Sequence, residues 1–104
     1  MRSTTVESLP EIELLNYAYD YPDLRVAEGT TFAAKVTNTT NLPHSVTIES
    51  LDIDLYVPAG RYSILEITPE QLQSIETNLS MYCTIGEHRD LGMSRTLDIA
   101  VDRR

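Results

Sequence analysis

The stretch MYCTIGEHRDLGM, residues 81–93, begins as an alternating strand and continues as a glycine-containing loop. Cys83 shares a strand face with Met81, so its thiol is expected to point into the core. His88 lies five residues after Cys83, and Met93 lies five residues after His88. One loop before the last strand could therefore supply three side chains that bind a metal ion.

A fourth donor is predicted in the run HSVTIE, residues 44–49. His44 falls on the same strand face as Val46 and Ile48, so its ring is expected to point at the end of the core. A soft thiolate, two imidazoles and a weak thioether suit copper in both the Cu(I) and Cu(II) states. The predicted metal ligands are therefore His44, Cys83, His88 and Met93, with one copper ion as the cofactor.

Alternation of apolar and polar residues recurs along most of the chain and predicts short antiparallel strands. The runs cover residues 11–15, 30–38, 51–57 and 96–102. Several short strands at this spacing favour an all-β sandwich or barrel. Pro69–Asn78 breaks the alternation, and its leading proline with Leu72 and Ile75 three residues apart predicts one short helical turn.

Length and composition limit the possibilities further. A chain of 104 residues fits one domain, predicted here at residues 10–102 after a flexible tail at 1–9. Asp and Glu number 16 against 8 Lys and Arg, and the net charge of -8 disfavours nucleic acid and anionic membranes as partners. The first nine residues contain no apolar run, so no signal peptide or transmembrane segment is expected. A single cysteine excludes an intrachain disulfide.

Three stretches together resemble the cupredoxin family, in particular its small blue copper proteins with a C-x4-H-x4-M loop. They are VAEGTTFAAKVTNTTNLPHSVTIE (26–49), VPAG (57–60) and MYCTIGEHRDLGMSRTLDI (81–99). The resemblance implies a Greek-key β-sandwich with a type 1 copper site, in which His44, Cys83 and His88 are equatorial ligands and Met93 is axial. It also implies an electron carrier that is not an enzyme, a monomer, and a location outside the cytoplasm with the leader absent.

The resemblance further implies that redox proteins dock where the second histidine reaches the surface. The candidates for an apolar docking patch are Leu42, Pro43, Leu91 and Gly92. Two positions depart from the family. Ser45 stands where asparagine often ties the ligand loops together, which alters hydrogen bonding beside the site. Gly86-Glu87 replaces the common Pro-Gly, and the Glu87 carboxylate either selects a cationic partner or is simply solvated.

Other functions remain open at this point. The chain has only two histidines, His44 and His88, so none is left for a second copper centre that would reduce oxygen or nitrite. The main alternative is the electron-entry domain or subunit of a larger copper enzyme. Copper storage or delivery is a further alternative, as are the same site with another metal and a metal-free adhesive sandwich in which Cys83 is a plain core thiol.

Overall fold

The computed structural model describes residues 9–73 and 78–102. Two four-stranded sheets pack around one hydrophobic core. The first sheet has the order β2 (Ala18–Asp20), β1 (Glu11–Leu15), β4 (Phe32–Asn38) and β7 (Tyr62–Ile67). The second has the order β6 (Ile53–Val57), β5 (His44–Ile48), β8 (Asn78–Tyr82) and β9 (Ser94–Asp98). A separate parallel pair joins β3 (Arg25–Ala27) to β10 (Ala100–Asp102).

The chain crosses repeatedly between the two sheets. It passes from β4 in the first sheet to the β5–β6 hairpin in the second, and returns to pair β7 with β4. A short helix, α1 (Pro69–Gln73), lies between β7 and β8. Strand β8 then pairs with β5 in the second sheet. Strand β1 runs parallel to β4, and the other pairs in both sheets are antiparallel. The predicted all-β Greek-key sandwich with one short helical turn is thus confirmed.

Strand β5 differs from the others because both of its faces are buried. In β4, burial alternates as the sequence pattern predicts, with Phe32, Ala34 and Val36 facing the core. Strand β5 lies between β6 and β8, so neither edge is open. Its polar residues Ser45 and Thr47 are only 1% and 8% exposed. Buried polar groups must find hydrogen-bond partners, and at Ser45 those partners lie beside the metal ligands.

Several predicted element boundaries differ from the structure, where the run 30–38 becomes a strand only at Phe32 and the last run begins at Ser94. A 3₁₀ turn, Glu49–Leu51, replaces the start of the predicted 51–57 strand, because Asp52 adopts a left-handed φ of 58°. The final alternating run divides at Ile99, where the chain leaves β9 and joins β3 as β10.

The prediction of a helical turn as far as Asn78 is wrong at its end, since Asn78 opens β8. The intervening residues 74–77, like residues 1–8 of the predicted tail, lie outside the described part of the chain. Within the described ranges, neither helical segment has the length or apolarity to cross a membrane.

Candidate metal centre

His44 is the first residue of β5 and is fully buried, at 0% exposure. Its position is set by the antiparallel register in which it lies opposite Val57 of β6. The same parity that sends Val46 and Ile48 into the core sends the His44 ring inward. The imidazole therefore lies at one end of the sandwich core, as the sequence pattern predicts.

Cys83 and Met93 are held opposite each other where β8 ends and β9 begins. Cys83 directly follows β8 and is 1% exposed, and Met93 directly precedes β9 and is 0% exposed. The Cys83 N–H donates to the Met93 carbonyl oxygen at 3.1 Å, which closes the loop between the two strands. Both sulfur-bearing side chains consequently belong to the buried end of the core.

Backbone turns inside this loop return His88 toward Cys83. The His88 N–H donates to the Ile85 carbonyl at 3.0 Å, and the Met93 N–H donates to the His88 carbonyl at 3.0 Å. The Leu91 N–H also donates to the Glu87 carbonyl at 3.1 Å. Because the loop is folded on its own backbone, the His88 ring comes within reach of the thiol.

Three of the four predicted ligands meet at one point. One donor atom from each of His44, Cys83 and His88 lies within 4.8 Å of the other two. The Cys83 sulfur lies 3.5 Å from His88 Nδ1, and the two imidazole centroids are 4.8 Å apart. Met93 is buried at the end of the same loop, and its role as a fourth ligand stays a prediction.

The hydrogen bonding of His44 fits a metal ligand. Within the described residues its buried Nδ1 has no hydrogen-bond partner, whereas Nε2 lies 3.1 Å from both Asn16 Oδ1 and Thr40 Oγ1. An unpaired buried nitrogen is costly unless something binds it. Burial, and secondarily the charge of His88, lower the pKa of His44, which favours the neutral form that binds metals.

Ser45 joins β5 to the loop that follows Cys83, which gives a physical role to this departure from the family pattern. The Thr84 N–H donates to Ser45 Oγ at 2.9 Å, and the hydroxyls of Ser45 and Thr84 lie 3.1 Å apart. The Tyr19 hydroxyl donates to the Ser45 carbonyl at 2.7 Å. Burial, and secondarily the charge of Cys83, raise the pKa of Tyr19 far above its ordinary value, so this phenol remains a donor.

The cysteine sulfur accepts a hydrogen bond from the backbone. The Ile85 N–H lies 3.5 Å from Cys83 Sγ, a distance within the range for a sulfur acceptor. A donor aimed at the sulfur stabilises the negatively charged thiolate relative to the thiol. Hydrogen bonding around the cysteine sulfur is also one of the features that tune the potential of a blue copper site.

The residues predicted for partner docking differ in their exposure, and His88 itself is half-buried. Leu42 and Pro43 are partly buried, whereas Glu87, Leu91 and Gly92 are exposed. The edge of the Tyr17 ring contacts the His88 ring, with centroids 5.1 Å apart and planes at 64°. Leu91 is 56% exposed, which is high for a large apolar side chain. An apolar surface therefore adjoins the ligand that lies nearest to solvent.

Sequence reasoning missed four residues that support the site. Asn16, Asn38 and Thr40 form the polar surroundings of His44, and Tyr17 contacts His88. The sequence could have identified Asn38, because this polar residue continues the inward-facing series of β4. Asn16 carried none, since it lies 28 residues from His44 in the turn between β1 and β2.

No protein-family model matches the sequence, and no curated protein matches it. Solved structures do match its fold. Reduced auracyanin from the photosynthetic bacterium Roseiflexus castenholzii has a TM-score of 0.64 at 19% identity, with 86% of this chain and 94% of that chain covered. A reduced Cu(I) form of an amicyanin variant has a TM-score of 0.62 at 14% identity, with 91% and 83% covered.

This chain has the cupredoxin fold. The fold and the donor set together fit one copper ion at the cluster of His44, Cys83 and His88. A third similar structure is the blue copper oxidase from Nitrosomonas europaea, with a TM-score of 0.62 at 16% identity. The match covers 90% of this chain but only 39% of the oxidase, so in that enzyme the cupredoxin fold accounts for a part of a longer chain.

Proposed function

We propose that this chain is an electron carrier with one type 1 copper ion, which His44, Cys83 and His88 would hold together with Met93 as a weak fourth donor. The observation that carries the proposal is the meeting of three donor atoms within 4.8 Å on a cupredoxin fold. The unpartnered Nδ1 of His44 adds independent support. When bound, the copper ion supplies one-electron chemistry by cycling between Cu(II) and Cu(I).

The residues of the chain keep the site rigid and dry. His44, Cys83 and Met93 are each at most 1% exposed, which keeps water away from these three side chains. The bond from Cys83 N–H to the Met93 carbonyl and the tie between Ser45 and Thr84 fix the loop to both strands. Donors that are already in place need to move little when the charge of the site changes, and this favours fast electron transfer.

We propose that redox partners dock around His88. This ring is the ligand nearest to solvent, and the exposed Leu91 and Gly92 lie in the same loop. The net charge of -8 and the exposed Glu87 favour a partner with a basic face. The same proposal includes action as a monomer outside the cytoplasm, as the resemblance to blue copper proteins implies.

The proposal does not include catalysis by this chain. Both of its histidines belong to the copper site, so a second copper centre would have to come from another chain or domain. The similarity to part of the Nitrosomonas europaea blue copper oxidase supports one second candidate, the electron-entry domain or subunit of a larger copper enzyme. Storage or delivery of copper fits less well, because the donors are buried rather than open to exchange.

The decisive experiment is a visible absorption and electron paramagnetic resonance spectrum after addition of one equivalent of Cu(II), compared with Cys83→Ala. We expect an intense red charge-transfer band and narrow copper hyperfine splitting, both absent from the variant because the chain has no other thiol. Reversible reduction by a small mediator should bleach and restore the band. A parent spectrum as pale as that of Cys83→Ala would refute the copper site.

The two candidate functions differ in their assembly. A diffusible carrier should sediment at the mass of one chain and exchange electrons with a small mediator at full rate. An entry subunit should instead be recovered from its source in a stable complex with an interface of at least about 1,000 Å².

A further inference from the structure

The side chain of Asn38 is a fully buried amide whose orientation is fixed by two carbonyl groups. Asn38 Nδ2 donates to the Leu42 carbonyl at 2.8 Å and to the Val57 carbonyl at 3.0 Å. An amide nitrogen has two hydrogens, and both are therefore used. The amide oxygen must consequently face the remaining neighbour, which is Thr40.

The hydroxyl of Thr40 is then committed as a hydrogen-bond donor. Thr40 Oγ1 lies 2.7 Å from Asn38 Oδ1 and 3.0 Å from the Leu42 carbonyl oxygen, and neither of these atoms can donate. The single hydroxyl hydrogen goes to one of them. Toward every other neighbour Thr40 Oγ1 can only accept, as it does from the Leu42 N–H at 3.2 Å.

His44 Nε2 faces this acceptor and a second one. Thr40 Oγ1 and Asn16 Oδ1 each lie 3.1 Å from Nε2, Thr40 from the segment before β5 and Asn16 from the turn between β1 and β2. A ring nitrogen between acceptors is stabilised when it carries the hydrogen. In a neutral imidazole the other nitrogen, Nδ1, is then left with a free lone pair, and Nδ1 is the buried atom without a partner in the described residues.

We propose that Thr40 and Asn16 are positioning residues that hold His44 in the tautomer with hydrogen on Nε2, so that Nδ1 is ready to bind the metal before it arrives. The inference rests on the proposed copper site and extends it to residues that touch no metal. Partners of this kind fix the ring orientation of a metal-binding histidine, and their loss costs roughly 10–100-fold in metal affinity. Here two side chains accept the hydrogen bond that orients the His44 ring, so substitutions can remove both acceptors.

The test is a long-range proton–nitrogen correlation spectrum of the metal-free protein, which distinguishes the two imidazole tautomers. The chain has two histidines, so His88→Gln identifies the signals of His44. We expect the parent to show His44 with hydrogen on Nε2 alone. Thr40→Val combined with Asn16→Ala should populate the other tautomer and lower the affinity for Cu(I), measured by chelator competition, by roughly 10–100-fold.

Conservative and matched variants separate positioning from general loosening of the loop. Thr40→Ser keeps the hydroxyl and should behave as the parent. Thr39→Val makes the same change from threonine to valine at the exposed neighbouring position. It should leave the His44 tautomer and the Cu(I) affinity unchanged. If Thr40→Val fails to fold, Asn16→Ala alone still tests the idea, because Asn16 is exposed and approaches the ring from another segment.

Two results would overturn the inference: a mixed tautomer in the parent, or an unchanged tautomer and Cu(I) affinity in the double variant. The tautomer is measured without metal, so it is independent of the proposed function. A parent with hydrogen on Nε2 that gave no blue spectrum would refute the electron carrier and support the positioning of the ring.

Discussion

The two halves of the metal centre are built in different ways. His44 lies in a strand that is hydrogen-bonded on both sides, and its ring is surrounded by the side chains of Asn16 and Thr40. Cys83, His88 and Met93 belong to a loop whose shape comes from backbone hydrogen bonds between its own residues. One half therefore depends on particular side chains, and the other depends on the backbone path.

This difference explains which positions of the sequence are free to vary. Between its ligands the loop exposes most of its side chains, including Glu87 and Leu91, so their identity affects the surface rather than the fold. The Gly86-Glu87 departure from the family pattern is accommodated for that reason. Around His44 the opposite holds, because Asn38 is buried and fully used by four hydrogen bonds.

The strand half should be broken most severely by Asn38→Ala. The change removes donors from the carbonyls of Leu42 and Val57 and the acceptor of Thr40, in a buried setting at Val57 and in part-buried settings at the other two. We expect a loss on the order of 3 kcal/mol in the free energy of unfolding, since each buried group left unsatisfied costs about 1–3 kcal/mol. Urea unfolding of the metal-free protein measures it.

Thr39→Ala is the matched control for that variant, because Thr39 is the exposed neighbour of Asn38. Its effect should remain within about 0.5 kcal/mol. An Asn38→Ala variant as stable as the Thr39→Ala control would show that the polar network is incidental, and the contrast between the two halves would fail.

The loop half should respond to backbone strain, which two glycines test. Gly92 has a φ of +116°, outside the left-handed helical region, whereas Gly86 has a φ of +49°, which other residues reach at lower cost. A methyl group has room at both positions, since the nearest atom to a Cβ on Gly92 is the Tyr17 carbonyl oxygen at 3.5 Å. We expect Gly92→Ala to lose about 2 kcal/mol and Gly86→Ala about 1 kcal/mol.

Both glycine variants are compared by urea unfolding and by the intensity of the red charge-transfer band after addition of Cu(II). Gly92→Ala should also weaken this band, because the neighbouring Met93 carbonyl accepts the hydrogen bond from the Cys83 N–H and so helps to position the thiol. Equal losses for the two variants, or a larger loss for Gly86→Ala, would mean that the backbone path at Gly92 is not what holds this half together.

The sequence predicted the inward direction of one side chain in each half of the site. Parity along single strands was enough to point His44 inward, and the alternation before Cys83 served equally well for the thiol. The fold class followed from the same alternation. The parity of β4 extends to Asn38, which was not predicted although a polar residue on a core face signals a buried network.

Contacts between distant segments could not be predicted in this way. Asn16 reaches His44 only because β1 pairs with β4 in one particular register, and no local pattern specifies that pairing. Tyr17, which contacts His88, adopts a φ of 79° in the same turn, and a tyrosine in the sequence gives no indication of this conformation. The tie between Ser45 and Thr84 likewise needs β5 and β8 to be neighbours.

Only a small effect on stability is expected for Met93→Leu, a change that tests the ligand role of Met93 separately from its role in the fold. Methionine and leucine have similar volumes, so the fully buried site should lose less than about 1.5 kcal/mol in the metal-free protein. The copper protein should keep its red band, because the thiolate and both imidazoles remain. Its reduction potential should rise, because a site without the thioether donor stabilises Cu(II) less than the parent site does.

Met81→Leu is the matched control, because Met81 is equally buried but lies within β8 and away from the loop. Both variants should show similar small losses in urea unfolding, whereas only Met93→Leu should change the potential in a redox titration. If the potential stayed at the parent value in Met93→Leu, or rose equally in both variants, Met93 would be a core residue and the loop would supply two ligands rather than three. The rigid part of the site would then be the trigonal set alone, with His44 fixed by its strand and the other two fixed by the loop backbone.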